Sequence, residues 1–152
     1  MAAQAGIDPA SYEIELTETA LLGDDPVTAS NVDALKRLGF SIALDDFGTG
    51  YSSLSVLQRF SVNRIKIDRS FVCALDESGE GEALVDAMVK LARSLNLSVI
   101  AEGVETEEQR KRLVACGCRE FQGHLTGMPQ SASSIESLAG FEEPAAKVRK
   151  RG

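Results

Sequence analysis

Arg64-Ile65-Lys66-Ile67-Asp68 is the stretch of sequence that decides the fold. Two isoleucines alternate with two basic residues here, as in a β-strand, so the side chain of Lys66 points away from those of Ile65 and Ile67. On the outer face of a barrel, the ammonium group of Lys66 would be buried under helices. We therefore expect this side chain inside the mouth of a barrel.

Strand-like and helix-like segments alternate on both sides of this stretch. The predicted strands are residues 12–16, 40–44, 64–67, 98–101 and a short one near 120–121. The predicted helices are residues 31–38, 82–95, 106 to 115 or 116, and about 133–138, and a capping box at Thr106 and Gln109 starts the third. A strand followed by a helix, repeated in this way, predicts an α/β fold with a parallel sheet. Both an open doubly wound sheet and part of a (β/α)8 barrel fit this pattern.

Each predicted strand carries or leads to a polar side chain at its carboxyl end. In chain order these residues are Glu15 with Glu18, Asp45 with Asp46, Lys66 with Asp68, Glu102, and Gln122. Taken singly, such a carboxylate is most often a helix cap or a turn residue. Barrels, however, take catalytic residues from the ends of several strands, whereas open sheets concentrate them at one switch point. The whole set therefore favours a partial (β/α)8 barrel of about five βα units.

Four of these acids, Glu15, Asp45, Asp46 and Glu102, would meet in one barrel mouth. Such a cluster is unstable unless a cation neutralises it or some of the acids hold protons. Oxygen ligands without paired His or Cys suit Mg²⁺ or Mn²⁺, and two such ions sharing Asp45 would clamp a phosphodiester for attack by water. Lys66 would then stabilise negative charge, and Glu102 would act as a ligand or as the base.

Residues 46–53 have the composition of a functional loop. Gly48 and Gly50 allow unusual backbone angles, and small hydroxyl side chains such as that of Thr49 hold a bent conformation. The segment lacks the lysine of a nucleotide-binding P-loop, so the glycines alone are only a weak motif.

Composition and charge narrow the function classes. The chain has 152 residues, which we divide into one domain at 1–140 and a flexible basic tail at 141–152. The net charge of −7 disfavours non-specific binding to nucleic acid. No apolar run is long enough to span a membrane and no secretory signal is recognisable, so we expect a cytoplasmic protein. Cys73, Cys116 and Cys118 are then expected to be free, buried thiols.

Five motifs resemble, in order and spacing, those of EAL domains. They are residues 15–18 (Glu-Leu-Thr-Glu), 45–54 (Asp-Asp-Phe-Gly-Thr-Gly-Tyr-Ser-Ser-Leu), 66–72 (Lys-Ile-Asp-Arg-Ser-Phe-Val), 99–106 (Val-Ile-Ala-Glu-Gly-Val-Glu-Thr) and 122–123 (Gln-Gly). The resemblance covers nearly everything from Ser11 to Pro129. It implies a modified (β/α)8 barrel that hydrolyses cyclic di-GMP to the linear dinucleotide with Mg²⁺ or Mn²⁺.

The resemblance also implies roles for individual residues. Glu15 and Asp45 correspond to metal ligands, and Asp46 to a ligand of the second metal or of its water. Lys66 is similar to the lysine that contacts the catalytic water, and Glu102 to the ligand or general-base glutamate. The residues expected to bind substrate or to position the loop are Glu18, Gly48, Thr49, Gly50, Asp68 and Gln122. Because the family often dimerises through this loop, we expect a homodimer.

The sequence departs from the family pattern at its start. The family's Glu-Ala-Leu segment and its metal-binding asparagine would lie upstream of Met1, and a full barrel needs roughly 250 residues. Three interpretations compete: an active phosphodiesterase; a truncated, weak or silent module that binds cyclic di-GMP or a protein partner; and a phospho-acceptor receiver domain. The receiver is disfavoured because its acid pair follows the first strand, whereas Asp45 and Asp46 follow the second. We expect little or no hydrolysis by this chain alone.

An incomplete barrel also predicts association between copies. The first and last strands would present unpaired backbone groups, and apolar strand residues would lose part of their cover. The apolar residues concerned are Ile14, Ile42, Leu44, Ile65, Ile67 and Ile100.

Overall fold

The computed structural model describes residues 6, 8–21, 25–50, 53–75 and 79–138. One parallel sheet is formed by β1 (Glu13–Thr17), β2 (Ser41–Phe47), β3 (Arg64–Ile67), β4 (Ser98–Glu102) and β5 (Glu120–Gln122). The strands lie side by side in the order in which they occur along the chain. A doubly wound sheet reverses its strand order at a switch point, whereas a barrel does not. The fold is therefore α/β and part of a barrel, which confirms the prediction.

Helices alternate with the strands along the chain. After a short 3₁₀ helix (Pro9–Ser11), they are α1 (Glu18–Leu21), α2 (Pro26–Arg37), α3 (Ser53–Arg59), α4 (Arg69–Ala74), α5 (Gly79–Ser94), α6 (Glu107–Ala115) and α7 (Ala132–Leu138). The short helices α1 and α4 were not predicted, and no bounds were predicted for α3. The capping box was: Thr106 Oγ1 accepts a hydrogen bond from Gln109 N, and Gln109 Oε1 accepts one from Thr106 N, both at 3.1 Å.

The predicted start of α2 was five residues late. The helix begins at Pro26, because the side chain of Asp25 accepts hydrogen bonds from the amides of Val27 and Thr28. Proline at the first helical position has no amide that needs a partner, so the Asp25-Pro26 pair makes a strong helix start.

The core lies between the sheet and its helices. One face of each strand packs against them, and four residues of that face have no solvent exposure: Ile42, Leu44, Ile65 and Ile67. The expectation that apolar strand residues lose their cover is therefore wrong for these four. Ile14 pairs in register with Ile42 and packs on the same core, and Ile100 alone of the expected set pairs with Lys66 on the inner face.

The inner face of the sheet is instead polar. Its side chains alternate along each strand with those that face the helices, and apart from Ala43 and Ile100 most are polar, with charged groups on β1, β3 and β5. In the described sheet, β1 pairs only with β2 and β5 pairs only with β4, so these two strands are its edges, as expected.

Cys116 and Cys118 are buried free thiols, as predicted, whereas Cys73 is exposed. Cys73 lies beside Val72, which is the residue that α4 turns toward the core. Within the described part of the chain, no helix is both long and apolar enough to cross a membrane. The predicted boundary at residue 140, the tail 141–152, and Tyr51 and Ser52 of the loop lie outside the described residues.

Candidate active site

Lys66 stands on the central strand, on the inner face of the sheet. Its neighbours Ile65 and Ile67 are buried on the opposite face, as the alternation of the sequence predicts. The Lys66 side chain is only 5% exposed. A buried ammonium group is stable only when its three hydrogens meet acceptors.

Carboxylates from three other strands supply those acceptors. Lys66 Nζ lies 2.8 Å from Glu15 Oε2 on β1 and 3.0 Å from Asp45 Oδ1 on β2. It lies 2.7 Å from Glu102 Oε1 on β4. The structure thus brings Glu15, Asp45 and Glu102 together around a cation that belongs to the chain itself. Three carboxylates facing one ammonium group leave the cluster with excess negative charge.

These contacts change how readily the groups exchange protons. Burial lowers the pKa of Lys66, but hydrogen bonds to Glu102, Glu15 and Asp45 raise it by more than burial lowers it. The pKa of Lys66 therefore lies above its usual range. Burial raises the pKa of Glu102, and the like charges of Asp45 and Glu15 add to this, against the opposing effect of Lys66. Lys66 therefore remains charged, and Glu102 is a carboxylate with an increased affinity for a proton.

Asp46 does not join the other acids on Lys66. Leu44 pairs with Ile65 and Phe47 pairs with Ile67, so β2 has one extra residue between these pairs. Asp46 sits in this β-bulge with φ 55°, a left-handed conformation. The predicted strand end at residue 44 was therefore too early, because β2 continues through the bulge to Phe47.

Because of the bulge, the Asp46 carboxyl group lies near Asp45 and Asp68 and is not one of the ion-pair partners of Lys66. Its pKa is raised by burial and then by the charges of Asp45 and Asp68. The expected single cluster of four acids is thus corrected to three carboxylates on Lys66 and a fourth beside Asp45 and Asp68. Asp68 also caps α4: its Oδ1 accepts hydrogen bonds from the Ser70 amide at 3.0 Å and the Ser70 hydroxyl at 2.6 Å.

The loop after β2 packs against a buried acid. Glu18 is only 2% exposed, and a Cβ added at Gly50 would lie 2.4 Å from Glu18 Oε1. Only glycine therefore lets the loop approach the Glu18 carboxylate this closely. Gly48 has φ 95°, and Thr49 donates from both its amide and its hydroxyl to the carbonyl of Asp46. The structure thus places Glu18 against the loop that it was expected to position.

Gln122 lies at the edge of the same mouth, where it pairs in register with Glu102. It lines a cleft of about 360 Å³ together with Arg69, Glu105 and His124. Arg69 Nη2 binds Glu105 Oε1 at 2.7 Å, and His124 Nδ1 lies 3.9 Å from the same oxygen. Arg69 and Glu105 were not predicted as site residues. Arg69 directly follows the predicted residue Asp68, and Glu105 comes three residues after the predicted residue Glu102.

The donor set fits a hard divalent cation by its chemistry, since the three carboxylates offer oxygen ligands of the kind that Mg²⁺ and Mn²⁺ prefer. One oxygen of each carboxylate is held by Lys66, and each has a second oxygen. Over residues 6, 8–21, 25–50, 53–75 and 79–138, no group of three His, Cys, Asp or Glu side chains has the arrangement of a metal site.

Comparisons with known proteins agree with the sequence motifs. A family model described as EAL domain matches residues 1–129. The chain is 40% identical over 129 residues to the bifunctional diguanylate cyclase/cyclic di-GMP phosphodiesterase MucR of Pseudomonas aeruginosa, covering 85% of this chain and 19% of MucR. It is 43% identical over 124 residues to the cyclic di-GMP phosphodiesterase PdeR of Escherichia coli, covering 82% of this chain and 19% of PdeR.

Solved structures show the same likeness. The PaMucR phosphodiesterase in complex with c-di-GMP superposes with a TM-score of 0.81 at 39% identity, over 88% of this chain and 54% of that one. The Klebsiella pneumoniae BlrP1 complex with manganese and cy-diGMP gives 0.76 at 40% identity, over 81% of this chain and 31% of that one. The chain spans about a fifth of the length of the curated relatives MucR and PdeR.

Proposed function

The chain belongs to the EAL domain family and is related to cyclic di-GMP phosphodiesterases, and from that premise we propose that the carboxylates around Lys66 form part of a site that hydrolyses a phosphodiester bond of cyclic di-GMP. One observation carries the proposal. Acids from three strands, Glu15, Asp45 and Glu102, meet on the inner face within 3.0 Å of one ammonium group. A purely structural salt bridge needs one carboxylate for one lysine, whereas this cluster retains excess negative charge that suits a further cation.

We assign the metal ligands to the acids of this mouth. Glu15 and Asp45 would hold one divalent ion, Asp46 a second ion or its water, and Glu102 would complete the oxygen set. When bound, Mg²⁺ or Mn²⁺ supplies positive charge that acidifies water and stabilises phosphoryl oxygens. Support comes from the oxygen-only donor set and from the BlrP1 relative, which is described as a manganese complex.

The residues of the chain would divide the remaining work. Glu102, whose pKa is raised by burial, accepts a proton from the attacking water, while the water oxygen forms the new bond to phosphorus. The bond between phosphorus and the ester oxygen breaks, the leaving oxygen takes a proton from solvent water to become a hydroxyl group, and Glu102 returns its proton to solvent. Lys66 keeps its charge, orients the three carboxylates and offsets part of the negative charge that the phosphoryl oxygens would meet. Gln122, level with Glu102 on the next strand, would bind the nucleotide from the cleft that it shares with Arg69.

We propose that this 152-residue chain by itself hydrolyses cyclic di-GMP weakly or not at all. In the described residues, each of the three carboxylates binds Lys66 through one oxygen. The oxygens that are left are fewer than the ligands that a site for two ions needs. The second candidate function is a non-catalytic module that binds cyclic di-GMP or a protein partner. The cleft beside Gln122 and His124 favours this candidate, because none of the carboxylates assigned to the metal lines it.

Calorimetry and product analysis test these proposals together. Mn²⁺, Mg²⁺ and cyclic di-GMP are titrated into the chain and into its Asp45→Asn and Glu102→Gln variants, and linear product is measured by chromatography. Glu107→Gln is the matched control, since Glu107 lies on the surface of α6 and, within the described residues, forms an ion pair with Arg110 alone.

The outcomes separate the candidates. Metal binding that Asp45→Asn loses and Glu107→Gln keeps supports the site. Nucleotide binding without product supports the non-catalytic module. Rapid turnover by the chain, abolished by Glu102→Gln, would contradict the proposal of weak activity. Binding of neither metal nor nucleotide would contradict the site itself.

We further propose that the chain forms a homodimer in the cytoplasm. In the described sheet, β1 and β5 each pair on one side only and so offer backbone groups for pairing, and the free thiols fit a reducing compartment. Light scattering over a dilution series tests the assembly, and a monomer that unfolds cooperatively at micromolar concentration would refute it.

A further inference from the structure

A second charged layer lies on the inner face beneath the Lys66 cluster. Arg64 precedes Lys66 by two residues on β3, so both side chains point to the same face. Arg64 Nη1 lies 2.8 Å from Glu120 Oε2 on β5, and Arg64 Nε lies 3.3 Å from Glu13 Oε2 on β1. The proposed reaction uses none of these three residues.

The layer takes one side chain from every strand of the described sheet. Arg64 Nε also donates to Ser98 Oγ on β4 at 3.1 Å, and the Ser41 hydroxyl on β2 donates to Glu13 Oε2 at 3.3 Å. Each edge strand lies two strands away from β3, which is about 9.6 Å in a sheet. The planar, multi-donor guanidinium group of Arg64 spans that distance on both sides at once, which a single-point ammonium does less well.

Both edge strands carry a site residue two positions beyond the one that Arg64 holds. Glu13 is followed on its inner face by Glu15, and Glu120 is followed by Gln122. β1 and β5 each have a strand on one side only in the described sheet, and β5 is three residues long. Backbone pairing therefore constrains these two strands less than the others, and side-chain contacts must supply the rest.

We infer that Arg64 is a positioning residue, which holds β1 through Glu13 and β5 through Glu120 and so sets where Glu15 and Gln122 stand relative to Lys66. The inference rests on the proposed function for its link to catalysis. The side chains of Glu13 and Glu120 are 29% and 49% exposed, and ion pairs at such exposure add little to global stability. We therefore expect these contacts to fix the positions of β1 and β5 while adding little to the free energy of unfolding.

Side-chain nuclear magnetic resonance spectra test this inference without any turnover. The readouts are the Lys66 ammonium, the Gln122 amide and the Glu15 carboxyl signals, recorded well below the unfolding temperature. The variants are Arg64→Gln, Glu13→Gln and Glu120→Gln. Arg112→Gln is the control, because Arg112 also binds a glutamate, Glu108, but belongs to α6 and donates its other hydrogen bond to the carbonyl of Leu75.

A directional pattern is expected. Glu13→Gln should shift the Glu15 signal more than that of Gln122, Glu120→Gln should do the reverse, and Arg64→Gln should shift both. In Arg64→Gln, the Lys66 ammonium hydrogens should exchange with water at least roughly fivefold faster, the change that about 1 kcal/mol of weakened contact produces. Arg112→Gln should leave all three signals in place.

The inference is overturned if Glu13→Gln and Glu120→Gln shift neither signal, or shift both equally, in folded protein. These two variants decide the matter even if Arg64→Gln does not fold, because each leaves one ion pair of Arg64 intact. Titrating Mn²⁺ into the same samples separates the two proposals: a wild-type chain that binds no Mn²⁺ contradicts the proposed function, while the metal-free spectra still decide the role of Arg64.

Discussion

Replacing Lys66 by methionine tests whether the ammonium group is what allows three carboxylates to stand together. Methionine keeps the length and apolar stem of the side chain but removes its charge. Glu15, Asp45 and Glu102 would then face one another without the cation that lies 2.7–3.0 Å from each. We expect a less stable fold at neutral pH and a stronger response to divalent cations, because the methionine no longer competes for the carboxylate oxygens.

The magnitude follows from the exposure of the partners. Removing one member of a buried ion pair costs about 3–5 kcal/mol. Here the acids retain contact with water, with side-chain exposures of 50% for Glu15, 21% for Asp45 and 20% for Glu102. Because water screens part of the repulsion, we expect a loss of roughly 2–3 kcal/mol. For a chain of this length that lowers the unfolding temperature by about 4–12 °C.

The pH dependence has a definite sign. Without Lys66, burial and the charges of Asp45 and Glu15 act unopposed on Glu102, so the pKa of Glu102 in the folded variant lies further above its unfolded value. The folded variant then binds more protons than the unfolded chain, so its stability is lost as pH rises through the raised pKa. The difference from wild type should therefore be small near the unfolded pKa values of about 4 and largest at neutral pH.

Urea denaturation of both proteins at pH 5 and pH 7.5, first with a chelator and then with Mn²⁺, measures all of this. Mn²⁺ should stabilise the variant more than the wild type, by an amount that grows with the logarithm of its concentration. Lys90→Met is the control, because the Lys90–Asp86 pair is an exposed pair within α5 and should contribute only about 0.3–0.5 kcal/mol. Equal stability of Lys66→Met and wild type at pH 7.5, or a difference that does not change with pH, would refute the reasoning.

Two further substitutions probe the loop and a helix end. Gly50→Ala should destabilise the fold, because its Cβ would lie 2.4 Å from Glu18 Oε1, whereas Gly79→Ala meets nothing within 4 Å and should be neutral or stabilising; urea denaturation of both variants compares them. Thr106→Ala should cost about 1 kcal/mol by removing the cap of α6 while leaving Mn²⁺ affinity unchanged, as thermal unfolding and calorimetry would show. A stable Gly50→Ala, or a Thr106→Ala variant that binds Mn²⁺ differently, would contradict these expectations.

The strands could be predicted from the sequence where alternation is strict. β3 has the bounds that were predicted, because its isoleucines and basic residues alternate without interruption and Asp68 stops it by capping the next helix. The barrel architecture could also be predicted from the sequence, because polar residues follow several successive strands instead of clustering after one of them.

Local sequence did not reveal the bulge in β2. The apolar run ends at Leu44, and nothing in Asp45-Asp46 signals that the strand continues or that Asp46 adopts a positive φ. One extra residue changes which way an acid points, so the placement of Asp46 depended on pairing with β3 rather than on the sequence of β2. The helices α1 and α4 escaped prediction for a related reason, because four and six residues are too few to show helical periodicity.

The charge balance within the site could be predicted only in part. The sequence indicated that the clustered acids need a cation, and in the structure Lys66 is the cation at their centre. The ion pairs of Arg64 were missed, because Glu13 and Glu120 lie far from Arg64 along the chain and the sequence does not show which side chains meet across strands.

The two basic residues of β3 explain how a barrel interior can be polar in this chain. Barrel interiors are usually filled by branched apolar side chains, whereas here five carboxylates face Arg64 and Lys66. Placed on the central strand, the two cations reach acids on both sides, so each acid has a basic partner but the face as a whole stays negative. A cyclic dinucleotide also carries negative phosphates and would be repelled by such a face. In the proposed function, a divalent cation therefore weakens this repulsion and helps the substrate to approach, before it contributes to the chemistry.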